Sequence, residues 1–446
     1  MKTIHIAKLC LLTLFFPLSV MAQETEQVGT LDLTLQQAID IALAENPTIR
    51  VADKDVQLKK IADKETWMAL LPEVNVTGNL QHTLLAAEMN LGGNKFKMGR
   101  DNSNTVAAGA TLSMPLFAPA VYQNMKLSKQ DILLAQEKAR SSRLDLINQV
   151  TKAFYQTLLA QDSYQVMKDS YDIAKQNFDV VNAKFEQGKV SEYDKITAEV
   201  QMRNMNSNLV QAETALTLSQ LQLRVLMGVT ENVAIHINDQ LENHETDLIL
   251  PNIEAAEASL QDNSTMRQFD LQQKLLERTL KIQRTNFMPT LGFQLTGQYQ
   301  SLYNDNWRLW KYDYAPSASF TLVLTIPIFK ATNWTALKKT KLQMSELEDT
   351  RINTHRQLSM ATESYTKNMA ASIVQVSSNH EAVLQAKKAV TISEKRYEVG
   401  RGTILELNQS QVALTQARLA YNQSIYNYLI NRADLDYTLG RETYMQ

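Results

Sequence analysis

From Val74 the chain alternates residue by residue: Val74, Val76, Gly78 and Leu80 on one side, Asn75, Thr77, Asn79 and Gln81 on the other. Further on, Val106, Ala108, Ala110 and Leu112 oppose Thr105, Ala107, Gly109 and Thr111. A period of two is that of a β-strand, whose side chains point to opposite faces in turn. The pattern returns more sharply when Leu291, Phe293 and Leu295 oppose Gly292, Gln294 and Thr296, and when Phe320, Leu322 and Leu324 oppose Thr321, Val323 and Thr325. Two β-hairpins are predicted, at about 73–113 and about 290–326. Their strands of about ten residues carry one apolar face and one small or polar face, the pattern of a transmembrane β-barrel. A half-buried sheet of a soluble domain has the same period. Two such hairpins, with Trp307, Trp310, Tyr312 and Tyr314 near one end, favour the membrane reading, because Trp and Tyr suit the bilayer interface.

Around the strands the period changes to that of helices. Residues 35–70 read as helical, with Thr34 as N-cap, a break at Asn46-Pro47 and Pro72 closing the segment. Residues 120–187 and 331–399 contain neither Gly nor Pro. Each stretch, as helix, is roughly 100 Å long at 1.5 Å per residue. Tyr164, Met167, Tyr171, Ala174, Phe178, Val181 and Phe185 recur at alternating spacings of three and four. Met202, Met205, Leu209, Ala212, Leu216, Leu223 and Leu226 continue the rhythm, with Ser219 as the polar exception. A 3.5-residue repeat is a left-handed coiled-coil seam. Long helical hairpins are expected at about 119–228 and about 331–439.

The second half of the chain repeats the first. Met114-Pro115-Leu116-Phe117 matches Ile326-Pro327-Ile328-Phe329 at an offset of 212, and Leu226-Met227-Gly228 matches Thr438-Leu439-Gly440 at the same offset. Upstream the offset is 217, with Leu71-Pro72 matching Met288-Pro289 and Asn46 matching Asn263. The expected organisation is a signal peptide (1–22), a first repeat (23–230), a linker (231–250) with at most a short strand at 234–237, a second repeat (251–440) and a tail (441–446). The fold class is mainly α with β, internally duplicated.

Composition narrows the compartment. Lys2 and Lys8 precede and flank the run LCLLTLFFPLSV, and Val20 and Ala22 stand before Gln23, the layout of a cleaved signal peptide. The run is too short to span a bilayer as a helix. The one cysteine, Cys10, lies within it, so the mature chain is expected to have neither disulfides nor thiolate chemistry. Against 47 acidic residues the 45 basic ones fall by two with the signal, leaving about −4, which is no nucleic-acid footprint. Past the signal, no apolar run is long enough for a membrane helix, so any membrane role must come through strands. His82, His236, His244, His355 and His380 have no metal-ligand spacing, and no phosphate loop or nucleophile motif is present. No cofactor, metal or catalytic residue is expected.

Two stretches read as tight reversals, FEQGKVSEYDKI from Phe185 and YEVGRGTILELNQ from Tyr397. Gly188 and Gly400 can take the left-handed conformation that ends a helix. Ser191 with Asp194, and Thr403 with Glu406, have the capping-box spacing that starts the next one.

Four barrel-type strands cannot close a barrel, and an open edge cannot face lipid. Other copies of the chain must close it; two would give eight strands with a plugged interior, three would give twelve with room for a channel. Over its mature length the chain resembles the TolC-like outer-membrane efflux proteins, on the duplicated helix–strand–strand–helix plan, the strand exits at Pro115 and Pro327 and the two glycine turns. The resemblance implies a homotrimer in the outer membrane of a Gram-negative bacterium. Its 12-stranded barrel sits in lipid and continues into a periplasmic α-barrel. The implied partners are a periplasmic adaptor (membrane fusion) protein and an inner-membrane pump. It further implies that Gly188, Ser191, Gly400 and Thr403 form the periplasmic tips where the adaptor docks. Acidic rings six and nine positions after the second turn glycine fall on Glu406 and Gln409, so one ring lacks its acid. A tip network would use Asp194 and Tyr397; its arginine position is Gly402, with Arg401 next to it. The alternative is a periplasmic coiled-coil adaptor of a pump, which would carry one hairpin flanked by small β-domains.

Overall fold

The computed structural model describes residues 30–229, 234–250, 257 and 259–441. The expected signal peptide and residues 442–446 lie outside the described residues. The first unit comprises β1 (Thr30–Leu33), α1 (Leu35–Glu45), α2 (Pro47–Met68), β2 (Glu73–Thr83), β3 (Ala87–Leu91), β4 (Asn94–Met98), β5 (Ser103–Phe117), α3 (Pro119–Glu186) and α4 (Glu192–Met227). Strand β6 (Ala234–Ile237) and 3₁₀ turns at Leu241–Asp247 and Ser259–Asp262 follow. The second unit comprises α5 (Ser264–Thr285), β7 (Thr290–Asn304), β8 (Ala315–Thr325), α6 (Ala331–Glu398) and α7 (Ile404–Thr438).

Short helices are placed by their caps. Thr34 Oγ1 accepts from the Gln37 N–H while Gln37 Oε1 accepts from the Thr34 N–H, closing a capping box on α1. The Asn46 side chain joins two helices end to end. Its Oδ1 accepts from Thr48 N at 2.8 Å, capping α2, and its Nδ2 donates to Leu226 O at 2.8 Å in the last turn of α4. Asn263 does the same in the second unit, accepting from Thr265 N at 2.8 Å and donating to Thr438 O at 2.7 Å. One amide thus satisfies an orphan donor of one helix and an orphan acceptor of the next. The close stacking requires a glycine at the end of the incoming helix. Gly228 and Gly440 are left-handed (φ 74° and 66°), and a Cβ there would meet Glu45 O at 3.0 Å and Asp262 O at 2.7 Å.

The four long strands form one antiparallel sheet in the order β2-β5-β7-β8. Its register sorts side chains by face. One cross-strand row reads Val74, Leu112, Leu295, Phe320; the neighbouring row on the other face reads Asn75, Thr111, Thr296, Ser319. Val76, Phe320 and Leu324 are 81%, 72% and 61% exposed, an apolar surface that the described residues leave uncovered. Both hairpins share one register: under the repeat offsets the pair Val74–Leu112 becomes Leu291–Leu324, which is the pair observed. Strands β2 and β8 are the free edges. At the loop end Asn104 Nδ2 donates to Asn306 O (2.8 Å) and lies 3.2 Å from Tyr312 Oη. His82 stacks on Trp307 with ring centroids 5.1 Å apart. Tyr312 is therefore buried, while Trp307 and Trp310 remain exposed.

Helix α3 packs along α4, α2, α5 and α7, and α6 along α7. The main core lies at mid-length, where Phe154, Leu158, Leu223, Met227, Ile425 and Tyr428 are buried. Each fully buried Leu or Met there contributes about 1.5–3 kcal/mol. Strand β1 pairs in parallel with β6 over this core. A second, smaller cluster of Val181, Ala198, Ile404 and Leu407 lies under the helix reversals. Two features go beyond the pattern reading: strand β1, and the small antiparallel hairpin β3–β4 inserted between β2 and β5. Among the described residues, no helix is long and apolar enough to cross a membrane.

Candidate functional site

The two helix reversals meet at one end of the molecule, roughly 100 Å along α3 from the sheet at 1.5 Å per residue. Each ends its incoming helix with a left-handed glycine, Gly188 and Gly400, both at φ 69°. The Lys189 N–H donates to Lys184 O at 2.9 Å and the Arg401 N–H to Arg396 O at 2.8 Å, the six-to-one bond of a Schellman motif. The outgoing helices start differently. At α4 the capping box is complete: Ser191 Oγ accepts from Asp194 N, and Asp194 Oδ2 accepts from Ser191 N, both at 3.2 Å. At α7, Thr403 Oγ1 accepts from Glu406 N at 3.2 Å, while the Glu406 carboxylate turns to Arg396, Oε2 lying 3.5 Å from Nη2.

Of the expected tip network, Asp194 and Tyr397 come near one another and Arg401 does not join them. Asp194 Oδ2 is held by the Ser191 hydroxyl at 2.8 Å. Burial raises the Tyr397 phenol above its ordinary value, and the Asp194 charge adds to the rise. The Tyr397 hydroxyl is buried with no hydrogen-bond partner among the described residues. The Arg401 side chain is exposed. No ion pair joins it to Asp194 among the described residues. The cation at the second reversal is Arg396, in the last turn of α6, whose Nη2 lies 3.4 Å from Arg401 O. Gly402 itself sits close against the end of α6. Its N–H donates to Arg396 O at 3.0 Å, and a Cβ there would lie 3.1 Å from Arg396 Cβ and 3.2 Å from Tyr397 N. A side chain at position 402 would need Arg396 and Tyr397 to give by a few tenths of an ångström.

Lys184 supplies a second tie that the sequence reading missed: its Nζ stands 5.0 Å from the Tyr397 ring centroid, joining α3 to α6. Both missed cations lie in the final turn of a helix ahead of its closing glycine, where positive side chains suit the exposed carbonyls. That placement was the available signal. On α7, Ile404, Leu407 and Asn408 are buried against the tip cluster, whereas Leu405, Glu406 and Gln409 are exposed on the other side. Glu406 and Gln409 thus project from one free face, one helical turn apart.

Halfway along the helices an acidic band surrounds the 3₁₀ turn Leu241–Asp247. Asp162 of α3 accepts from Leu241 N at 2.9 Å. Tyr421 of α7 donates to Glu245 at 2.6 Å, and His380 of α6 lies 3.2 Å from the same carboxylate. Burial pushes Asp162 up to about 6, opposed by the Leu241 N–H and reinforced by the charges of Asp239 and Glu242. No group of three or more His, Cys, Asp or Glu among the described residues could hold a metal ion.

Comparisons with known proteins fit this geometry. The family model described as outer membrane efflux protein matches residues 38–229 and 255–441, one segment for each half of the duplication. The chain is 21% identical to the outer membrane protein TolC of Vibrio cholerae over 390 residues, covering 87% of this chain and 86% of that protein. It is 23% identical to the outer membrane protein TolC of Escherichia coli over 419 residues, 91% of this chain and 82% of that one. The fold superposes on the Campylobacter jejuni CmeC outer membrane channel with a TM-score of 0.70 at 16% identity, over 97% of this chain and 94% of the other. On these grounds the chain belongs to the outer membrane efflux protein family, and it is an outer-membrane exit channel of the tripartite efflux type.

Proposed function

We propose that three copies of this chain form a duct that is gated at the helix reversals, with Glu406 lining its narrowest point. The observation that carries this reading is the exposed face of α7, where Glu406 and Gln409 project away from the buried Ile404, Leu407 and Asn408. Three Glu406 carboxylates around an axis would repel anions and attract cations. Gln409 adds no charge, so selectivity rests on one ring. Arg396 beside Glu406 and Lys184 over Tyr397 hold the closed arrangement. The reversals at Gly188, Ser191, Gly400 and Thr403 are the docking end for a periplasmic adaptor, which couples the duct to an inner-membrane pump. The polar row Asn75, Thr111, Thr296 and Ser319 faces the lumen, and the row of Val74, Leu112, Leu295 and Phe320 faces lipid.

Single-channel recording in planar bilayers tests the assignment. The wild type is expected to favour cations, and Glu406→Ala to lose that preference and to conduct more in the closed state. Unchanged conductance and selectivity in Glu406→Ala would place the constriction elsewhere.

A further inference from the structure

Each helix that joins the sheet has an aromatic residue at its sheet end and two cations just beyond it. On α3 these are Tyr122, Lys126 and Lys129. On α6 they are Trp334, Lys338 and Lys341, the same three positions under the repeat offset of 212. Spacings of four and seven hold each trio on one face of its helix. Helix α2 runs toward the sheet, so Lys60 and Lys64 come before Trp67, again within two turns on one face. At the end of α5 Lys281 and Arg284 precede Phe287, whose ring meets that of Trp334 edge-on with centroids 5.2 Å apart. Lys281 is the equivalent of Lys64 under the offset of 217.

These faces are open and their charges are unmatched. Trp67, Tyr122 and Trp334 are 43%, 44% and 58% exposed, and all of the cations are exposed. Between positions 121 and 137 the exposed residues of α3 are Tyr122, Lys126, Lys129, Leu133 and Gln136, a single stripe. None of the cations forms an ion pair among the described residues. Farther from the sheet the same helices do pair theirs, Arg143 with Asp53 of α2 and Arg351 with Asp270 of α5. The nearby acids point elsewhere. Asp63 accepts from the Ser128 hydroxyl, and helical spacing sets Glu65 and Asp131 on the far side from Trp67 and Lys129. Glu277, one turn from Lys281, is the acid that shares a face with the cations. Like charges three or four residues apart destabilise a helix. The arrangement recurs on four helices, so it calls for an anion from outside the chain.

We propose that these paired cations form a belt that binds the phosphate groups of anionic phospholipids in the periplasmic leaflet of the outer membrane. Depth and chemistry select this occupant. Trp and Tyr settle where hydrocarbon gives way to headgroups, and a water-filled lumen would offer their rings no apolar medium. On α3 and α6 the first lysine lies about 6 Å beyond the aromatic and the second about 10 Å, at 1.5 Å per residue. The headgroup region is about 5–8 Å deep on each side of the hydrocarbon. The first lysine therefore falls within it, and the long stem of the second lets its ammonium reach back to it. A lysine beside an anionic lipid surface is attracted to it, and salt screens that attraction.

This inference rests on the reading that the row of Val74, Leu112, Leu295 and Phe320 faces lipid, and tryptophan quenching separates the two. The chain has 4 tryptophans, so Trp67→Phe/Trp307→Phe/Trp310→Phe leaves Trp334 as the reporter of the belt. This full-length parent is reconstituted in phosphatidylcholine bilayers containing brominated phosphatidylglycerol or, in parallel, equally brominated phosphatidylethanolamine. At low salt phosphatidylglycerol should quench more strongly, with a relative binding constant of about five, the worth of one lysine at an anionic surface. High salt should remove the preference. Lys281→Gln/Arg284→Gln/Lys338→Gln/Lys341→Gln in the parent should bring the ratio close to one, while Lys281→Arg/Lys338→Arg/Lys341→Arg should keep it. Equal quenching by both lipids in the parent, or a preference that survives the glutamines, would overturn the belt. A preference abolished by inorganic phosphate at matched ionic strength would give the cations to a soluble anion and overturn the lipid assignment. Quenching by neither lipid would turn the stripe toward the lumen and overturn it as well. Phe320→Trp in a chain without the other tryptophans tests the reading beneath. Quenching there by both brominated lipids supports the lipid-facing row, and its absence would remove that row itself.

Discussion

Arg396 and Glu406, ten residues apart and on opposite sides of the second reversal, face each other with Nη2 3.5 Å from Oε2. Both side chains are about half exposed, which keeps the pair within the range of surface ion pairs, under about 1 kcal/mol. Arg396→Ala is therefore expected to raise the open probability by no more than about fivefold, since 1.4 kcal/mol is tenfold. Salt screens such pairs, so 1 M salt should move the wild type toward the variant and leave the variant itself little changed. Single-channel recordings at low and high salt measure both.

Gly402 keeps the turn compact by letting Arg396 and Tyr397 approach within 3.1–3.2 Å of where a Cβ would be. Introducing the larger side chain at this position, Gly402→Arg, should strain the reversal without building an Arg–Asp194 link. The amides of Arg401 and Gly402, both bonded to Arg396 O, are expected to exchange faster in that variant. Unchanged exchange would show that the turn has room to spare.

The amides of Asn46 and Asn263 each bridge two helix ends. Removal should cost about 1 kcal/mol for the cap and about 1 kcal/mol for the second bond. In Asn46→Ala the Thr48 amide should exchange about 5- to 30-fold faster. Asn46→Ser restores the cap but cannot reach Leu226 O, so it should recover part of the loss. Hydrogen exchange at Thr48, and at Thr265 for Asn263→Ala, reads this directly.

Asp162 gives the middle of the duct a pH dependence. Its folded value of about 6 is above the ordinary 3.8, because burial and the neighbouring acids disfavour its charge. The native protein holds this proton more tightly than the unfolded chain does. The contribution to stability is thus complete below about pH 3.8 and is lost as pH rises through about 6. The amides of residues 241–247 should be better protected at pH 5 than at pH 7, after correction for intrinsic exchange. Asp162→Asn can still accept from the Leu241 N–H and should flatten the difference.

How far the pattern of residues foretold this molecule differs between elements. The long strands and helices announce themselves through unbroken periods of 2 and 3.5, and the reversals through glycine followed by a capping residue. These are local signals. Strand β1 was missed because its four residues gain their place from pairing with β6, some two hundred positions away. The hairpin β3–β4 was missed because its strands are five residues long, although Gly92 and Gly93, at φ 60° and 87°, supply the turn its flanking strands need. At the reversal, counting two positions from Gly400 falls on Gly402, with Arg401 next to it; which neighbouring cation reaches the turn is set by backbone geometry and not by sequence distance. Asp194 was expected to serve as a cap or to hold the tips, and its geometry shows the cap in full.

A duct of this kind requires three copies to close one barrel. The mass of the purified protein in detergent micelles, after subtraction of bound detergent, tests it most directly. Three chains per particle, recovered from the outer-membrane fraction, is the result expected from two free β-edges and a four-stranded share of the barrel. A particle of one chain, or a protein recovered in the soluble periplasmic fraction, would contradict it.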